Sequence, residues 1–158
     1  MERLELIHDI IKEHPAIRFN DIMRISNLKN GTLTHYINKL ESEKKINVER
    51  TPRITRFYDV SISEKDAQIC KYLTRVTMKD IINLLLTHDV LTFPQIKGMV
   101  NKSSATVSVC LNDLFKANII EKKYDIPSNK YSFKNSTMIK NVIKIYFPNY
   151  IKNLAVNT

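Results

Sequence analysis

Apolar residues recur along this chain at helical spacing for some forty positions, then alternate, and then begin again. Leu4, Ile7, Ile10 and Ile11 form an i, i+3, i+6, i+7 stripe, which predicts an amphipathic helix over residues 4–14. His14-Pro15 ends it, because the residue before a proline is pushed out of the helical region. Residues 16–18 are read as extended. A second helix is expected from about Asn20, burying Ile22, Met23 and Ile25, with Asn27 as a left-handed residue at its end. A third is expected over residues 30–44, with Leu33, Ile37 and Leu40 facing inward and Tyr36 beside them. Residues 46–50 and 56–60 have strand character and are joined by a tip at residues 51–55. Ser63, with Asp66 three positions on, opens a further helical run carrying Ile69, Leu73 and Val76.

From Met78 the first pattern returns, shifted by 74 positions without a gap. Phe19 and Ile22 become Phe93 and Ile96, and Asn27 becomes Asn101. Leu33, Ile37 and Leu40 become Val107, Leu111 and Leu114, and Ile46 becomes Ile120. Repetition at a period above 50 residues points to duplicated domains rather than to a solenoid. Helix, turn, helix and hairpin in that order make a winged helix-turn-helix. The expected fold is therefore mainly α with small β-hairpin wings (α+β): two tandem winged helix-turn-helix domains, residues 1–62 and 78–134. A linker helix over 63–77 joins them and a C-terminal helical segment, 135–158, follows. In that segment Met138, Ile139, Val142, Ile143, Ile145, Tyr146 and Phe147 cover most of a helix's circumference, so it should be largely buried. Pro148 ends it, and Tyr150, Ile151 and Leu154 suggest a last short helix. It either packs back on the domains or forms a homodimer interface through residues 136–154.

Composition narrows the partner. The 158 residues carry 25 Lys and Arg against 16 Asp and Glu, a net charge of +9, which favours a polyanion: nucleic acid or an anionic membrane surface. No apolar run approaches the roughly 20 residues needed to span a bilayer. The N-terminal stretch is amphipathic and acidic, unlike a secretory signal, so a cytoplasmic protein is expected. Cys70 and Cys110 fit no zinc spacing and are read as free thiols. His14 and His88 fall at equivalent helix ends, where a histidine complements the dipole, and His8 is placed at the surface. No catalytic constellation and no glycine-rich phosphate loop stands out, so neither an enzyme nor a cofactor is expected.

The outward face of the third helix carries the candidate chemistry. The major groove admits one α-helix, which needs an apolar face to hold it and short polar or basic side chains to reach base edges. Asn30, Thr32, Thr34, His35, Asn38 and Lys39 fit that requirement. Asn suits adenine, Lys suits guanine, and Thr suits phosphates or base edges. Gly31 would let the backbone come close to a phosphate. The wing adds Arg50 and Arg56, read as phosphate contacts, and Arg53 at the tip, read as entering the minor groove. The plainer alternative is that these cations form a solvated hairpin. In the second copy Val109 stands where His35 does and Asp113 where Lys39 does, and the wing, residues 125–130, has lost its arginines. Ser104, Thr106, Ser108, Asn112 and Lys130 are expected to add phosphate contacts there rather than base readout.

The stretch NGTLTHYINKLESEKKINVERTPRITRFY, residues 30–58, resembles archaeal winged helix-turn-helix transcriptional regulators of the broad MarR/ArsR-like type. The resemblance covers residues 19–60 well and the second half much less specifically. It implies regulation of transcription through double-stranded DNA, with the third helix in the major groove and the wing along the backbone or minor groove. Carried over, those roles fall on Asn30, Thr32, Thr34, His35, Asn38, Lys39 and Arg53. Lys44-Lys45 replaces the usual glycine before the wing, Asp59 replaces a common proline, and the metal cysteines of the ArsR type are absent. The rival is a protein-interaction module, since tandem winged helices also serve in transcription, chromosome-condensation or membrane-trafficking assemblies. Val109, Asp113 and the second wing favour protein contact in that half.

Overall fold

A computed structural model describes residues 2–148. The chain divides into two compact units between Lys71 and Tyr72. The first contains α1 (Arg3–Glu13), β1 (Ile17–Arg18), α2 (Phe19–Ser26), α3 (Asn30–Ser42), β2 (Ile46–Arg50) and β3 (Thr55–Asp59). Helix α4 (Glu64–Leu73) spans the division. The second unit continues with α5 (Val76–His88), β4 (Leu91–Thr92), α6 (Phe93–Val100), α7 (Ser104–Lys116), β5 (Ile120–Lys123), β6 (Lys130–Phe133) and α8 (Ser136–Tyr146). The fold is mostly helical with two small antiparallel sheets, in keeping with a winged-helix α+β architecture. Within each unit the order is helix, strand, helix, helix, hairpin.

The sheets have strand orders β1-β3-β2 and β4-β6-β5, so the last strand of each hairpin is central. Register agrees across the 74-residue offset. Ile17 pairs with Phe57 and Leu91 with Tyr131, while Ile46 pairs with Asp59 and Ile120 with Phe133. The cores agree as well. Ile7 and Ile81, Ile22 and Ile96, Leu33 and Val107, Ile37 and Leu111, Leu40 and Leu114, and Ile46 and Ile120 are all buried. In the first unit α1, α2 and α3 close over β2 and β3 around Ile11, Leu33, Leu40 and Phe57. Truncating one of these leucines to alanine should cost about 2–5 kcal/mol.

Local chemistry explains the element ends. Asn27 and Asn101 cap α2 and α6 at φ 60° and 54°, a left-handed conformation that asparagine tolerates better than most residues. The turn before each hairpin is left-handed too, at Lys44 (φ 58°) and Asn118 (φ 61°). Lys44 thus takes the conformation that glycine would favour. Thr92 and Gln95 form a capping box at the start of α6. The first wing closes through Thr51, whose hydroxyl donates to the Ile54 carbonyl at 2.7 Å and accepts from the Ile54 N–H at 3.1 Å.

Four expectations change. The helical run from Ser63 breaks at residues 74–75, so Val76 opens α5 and is exposed rather than belonging to the linker helix. Ile25 is exposed, because Ile22 alone of the α2 apolar residues is fully buried. Helix α8 is buried on one side only: Ile139, Val142 and Ile143 face inward, while Ile145 is exposed. His8 is half-buried, with its Nε2 2.7 Å from the Asp59 carboxylate. The short helix expected at Tyr150, Ile151 and Leu154, and with it part of the 136–154 interface, lies outside the described residues.

Candidate nucleic-acid interface

Leu33, Ile37 and Leu40 anchor α3 in the core, and the side opposite them faces solvent. Asn30, Thr34, His35, Asn38 and Lys39 are exposed on α3, and Thr32 is half-buried. The Thr34 hydroxyl donates to the Asn30 side-chain oxygen at 3.4 Å, and His35 meets Tyr36 edge-on at 5.5 Å between ring centres. No large apolar side chain is exposed anywhere on α3 among the described residues. Gly31 stands open, since a Cβ added there would meet nothing within 4 Å. The Lys29 side chain forms no cap at the α3 N-terminus, whereas Ser103 caps α7 by accepting from the Thr106 N–H at 3.2 Å. The first N–H groups of α3 therefore keep their donor capacity.

The wing arginines divide into three environments. Arg53 is exposed at the tip. Arg50 is exposed but held by Glu41 of α3, with Nη1 donating to Oε2 at 2.8 Å and Nη2 to Oε1 at 2.7 Å. These hydrogen bonds hold the Glu41 carboxyl below its ordinary pKa and raise that of Arg50. Arg56 is 6 % exposed, and its guanidinium donates to the Ala16 carbonyl at 2.9 Å. The expectation that Arg56 contacts phosphate is therefore corrected. It lies on the central strand, covered on both sides, and its charge is used inside the unit. The stretch at residues 16–18, extended as expected, contains the strand β1, whose pairing with β3 brings the Ala16 carbonyl within reach of Arg56.

In the second unit Ser104, Thr106, Ser108 and Asn112 are exposed on α7. Lys130 is exposed on β6 and paired with Asp125 at 2.9 Å. Asp113 is half-buried and lies 3.8 Å from Arg75. A cavity of about 190 Å³ opens between α7 and the hairpin, lined by Ser108, Val109, Leu111, Asn112, Phe115, Lys122 and Tyr131. The Lys122 ammonium lies 5.5 Å from the centre of the Phe115 ring and 5.1 Å from that of Tyr124. Nothing in the local sequence singles out Lys122 or either ring. The offset of 74 would have found them: Phe115, Lys122 and Tyr124 stand where Glu41, Val48 and Arg50 do.

Both thiols are buried. Desolvation pushes Cys70 up to about 12, with the charge of Asp66 adding to it, and raises Cys110 as well. Protonated, buried thiols are poor nucleophiles. Among the described residues no group of three or more His, Cys, Asp or Glu side chains could hold a metal ion, and no helix is long and apolar enough to cross a membrane.

No protein-family model matches the chain, and no curated protein matches it. Solved structures of similar shape include the transcriptional repressor PagR of Bacillus anthracis, 22% identical over 52% of this chain and 93% of that one, with a TM-score of 0.45. Rv0081 of M. tuberculosis is 18% identical over 58% of this chain and 90% of its own, with a TM-score of 0.48. Wild-type MarR from E. coli is 12% identical over 83% and 86%, with a TM-score of 0.43.

Proposed function

We propose that this chain is a transcriptional regulator built from two winged helix-turn-helix domains in tandem, and that it binds double-stranded DNA without catalysis. The observation that carries this reading is the outward face of α3, which combines exposed Asn30, Thr34, His35, Asn38 and Lys39 with an absence of exposed apolar side chains among the described residues. Such a helix offers donors and acceptors at a length that reaches base edges once it lies in the major groove. Arg53 supplies an exposed cation on the adjoining wing. Gly31 and the first α3 N–H groups supply a place for a phosphate. In the second unit Ser104, Thr106 and Lys130 add sequence-independent phosphate contacts, which position the protein without specifying the site.

Selection of duplexes from a random library identifies the site, and titration of that duplex then tests the reader. Asn38→Ala combined with Arg53→Glu should abolish binding while leaving the thermal midpoint unchanged. Equal binding by the double variant overturns the assignment. Gly31→Ala separates fold from function. It should stabilise α3 by roughly 0.5–1 kcal/mol, because alanine is the better helix former and the added methyl meets nothing. It should nevertheless weaken binding, because the methyl stands between backbone and phosphate.

A further inference from the structure

In the first unit α3 is tied to the wing by the Glu41–Arg50 ion pair. The equivalent place in the second unit has no such pair. Phe115 stands at the Glu41 position and Tyr124 at the Arg50 position, and both rings flank the ammonium of Lys122. On α7 and the second wing four apolar side chains face solvent: Val109 is 57%, Phe115 42%, Tyr124 78% and Ile126 96% exposed. Beside the ring–ammonium stack lies the 190 Å³ cavity, and the one charged side chain among its lining residues is Lys122. The nearby acids are engaged elsewhere, Asp113 with Arg75 and Asp125 with Lys130. Glu121 neighbours Lys122 on β5 and so projects to the other face of the strand. Lys116 is exposed one turn after Asn112 on α7.

A cluster of exposed apolar side chains marks an interaction surface more often than a solvated one. Duplex DNA does not suit this surface. Its outer surface is phosphate, and its bases remain stacked where rings such as Tyr124 cannot reach their faces. An ammonium held between two rings, next to an apolar hole, suits a carboxylate close to an aliphatic or aromatic side chain. We propose that the groove between α7 and the second wing binds an acidic amphipathic segment of a partner protein. One apolar side chain of that segment enters the cavity against Val109, Leu111 and Tyr131, and a neighbouring carboxylate pairs with Lys122. Ring contact keeps the ammonium in place before the partner arrives, which reduces the ordering cost of binding. The first unit then reads the bases, while the second adds to its phosphate contacts a groove that recruits protein, which accounts for cores that agree and outer faces that differ.

Random dodecapeptides displayed on phage and selected on the full chain provide the probe. The enriched peptides should combine Asp or Glu with Leu, Ile, Phe or Trp. The most enriched peptide, synthesised with a fluorescent label, should lose at least about tenfold in affinity on Lys122→Glu. It should lose as much on the paired exchange Phe115→Glu with Tyr124→Arg, which installs the residues of the first unit at their own register and so preserves folding. Lys140→Glu, on the exposed side of α8, should leave binding within about twofold. The Asn38→Ala, Arg53→Glu double variant should bind the peptide normally, and the groove variants should bind the duplex normally. Enrichment without the acidic–apolar signature overturns the proposal, as does undiminished binding to the Lys122→Glu chain. Loss of duplex or single-stranded DNA binding in the groove variants, with no acidic peptide enriched, assigns the face to nucleic acid instead.

Discussion

Arg53 and Arg56 sit in one hairpin three positions apart, yet their charges serve different ends. Arg53 faces water. Arg56 is buried and donates to the carbonyl of Ala16, a residue at φ 70° in the turn before β1. Removing a buried charged donor leaves that carbonyl without its partner, at a cost of about 1–3 kcal/mol. Arg56→Ala should therefore lower the denaturation midpoint and leave the salt dependence of DNA binding as it was. Arg53→Ala should do the reverse, reducing the slope of log affinity against log salt by about one and leaving the midpoint alone. Asp59 makes a parallel case on the acid side. Burial pushes its carboxyl up, but hydrogen bonds from the Ser61 hydroxyl, His8 and the Ser61 N–H together outweigh burial and hold it below the ordinary value. A carboxyl depressed in the folded state contributes stability that is fully present above its unfolded value of about 3.9 and is lost as pH falls through the folded value. Urea midpoints followed down through that window should fall for the native chain and fall less steeply for Asp59→Asn. Parallel curves for the two chains would remove Asp59 from the acid transition.

At the scale of elements, the tie between third helix and wing is the variable part of a repeated frame. Glu41 holds Arg50 in the first unit, so one of the two exposed wing arginines is already partnered before any phosphate arrives. Glu41→Gln should release it. The expected result is tighter duplex binding with a salt slope steeper by about one, since an added phosphate contact releases a further counterion. Unchanged affinity and slope would mean that Arg50 never turns to DNA. The frame itself was legible in the chain. Periodicity placed the helices, and Asn27 and Asn101 announced their own left-handed ends. What was not legible depended on partners distant in sequence. Arg56 reads as one more wing cation until β1 is seen to pair with β3. The break between α4 and α5 carries no proline or glycine, so the pattern does not mark where the helix that opens at Ser63 ends. Phe115, Lys122 and Tyr124 are unremarkable until α7 and β5 bring the lysine over both rings.

For the molecule as a whole, the question is where one unit stops being able to stand without the next. Pattern alone ends the first domain at residue 62 and makes residues 63–77 a linker. In the fold, α4 belongs to the first unit as far as Lys71. Ile69 and Cys70 are buried, Cys70 lies close enough to Tyr58 to bear on its ionisation, and Lys71 pairs with Glu49 of β2 at 3.5 Å. The Tyr58 hydroxyl is itself buried and has no hydrogen-bond partner among the described residues, and desolvation is the main reason its pKa is raised. A chain of residues 1–71 should therefore melt cooperatively on its own, and a chain of residues 1–62 should melt at a lower temperature. The loss of one large buried aliphatic side chain alone is worth about 1.5–3 kcal/mol. Circular dichroism melts of the two chains decide it. Equal midpoints would make α4 a tether with no share in the first unit's stability. A higher midpoint for the longer chain makes it the fourth helix of a unit that folds without its neighbour.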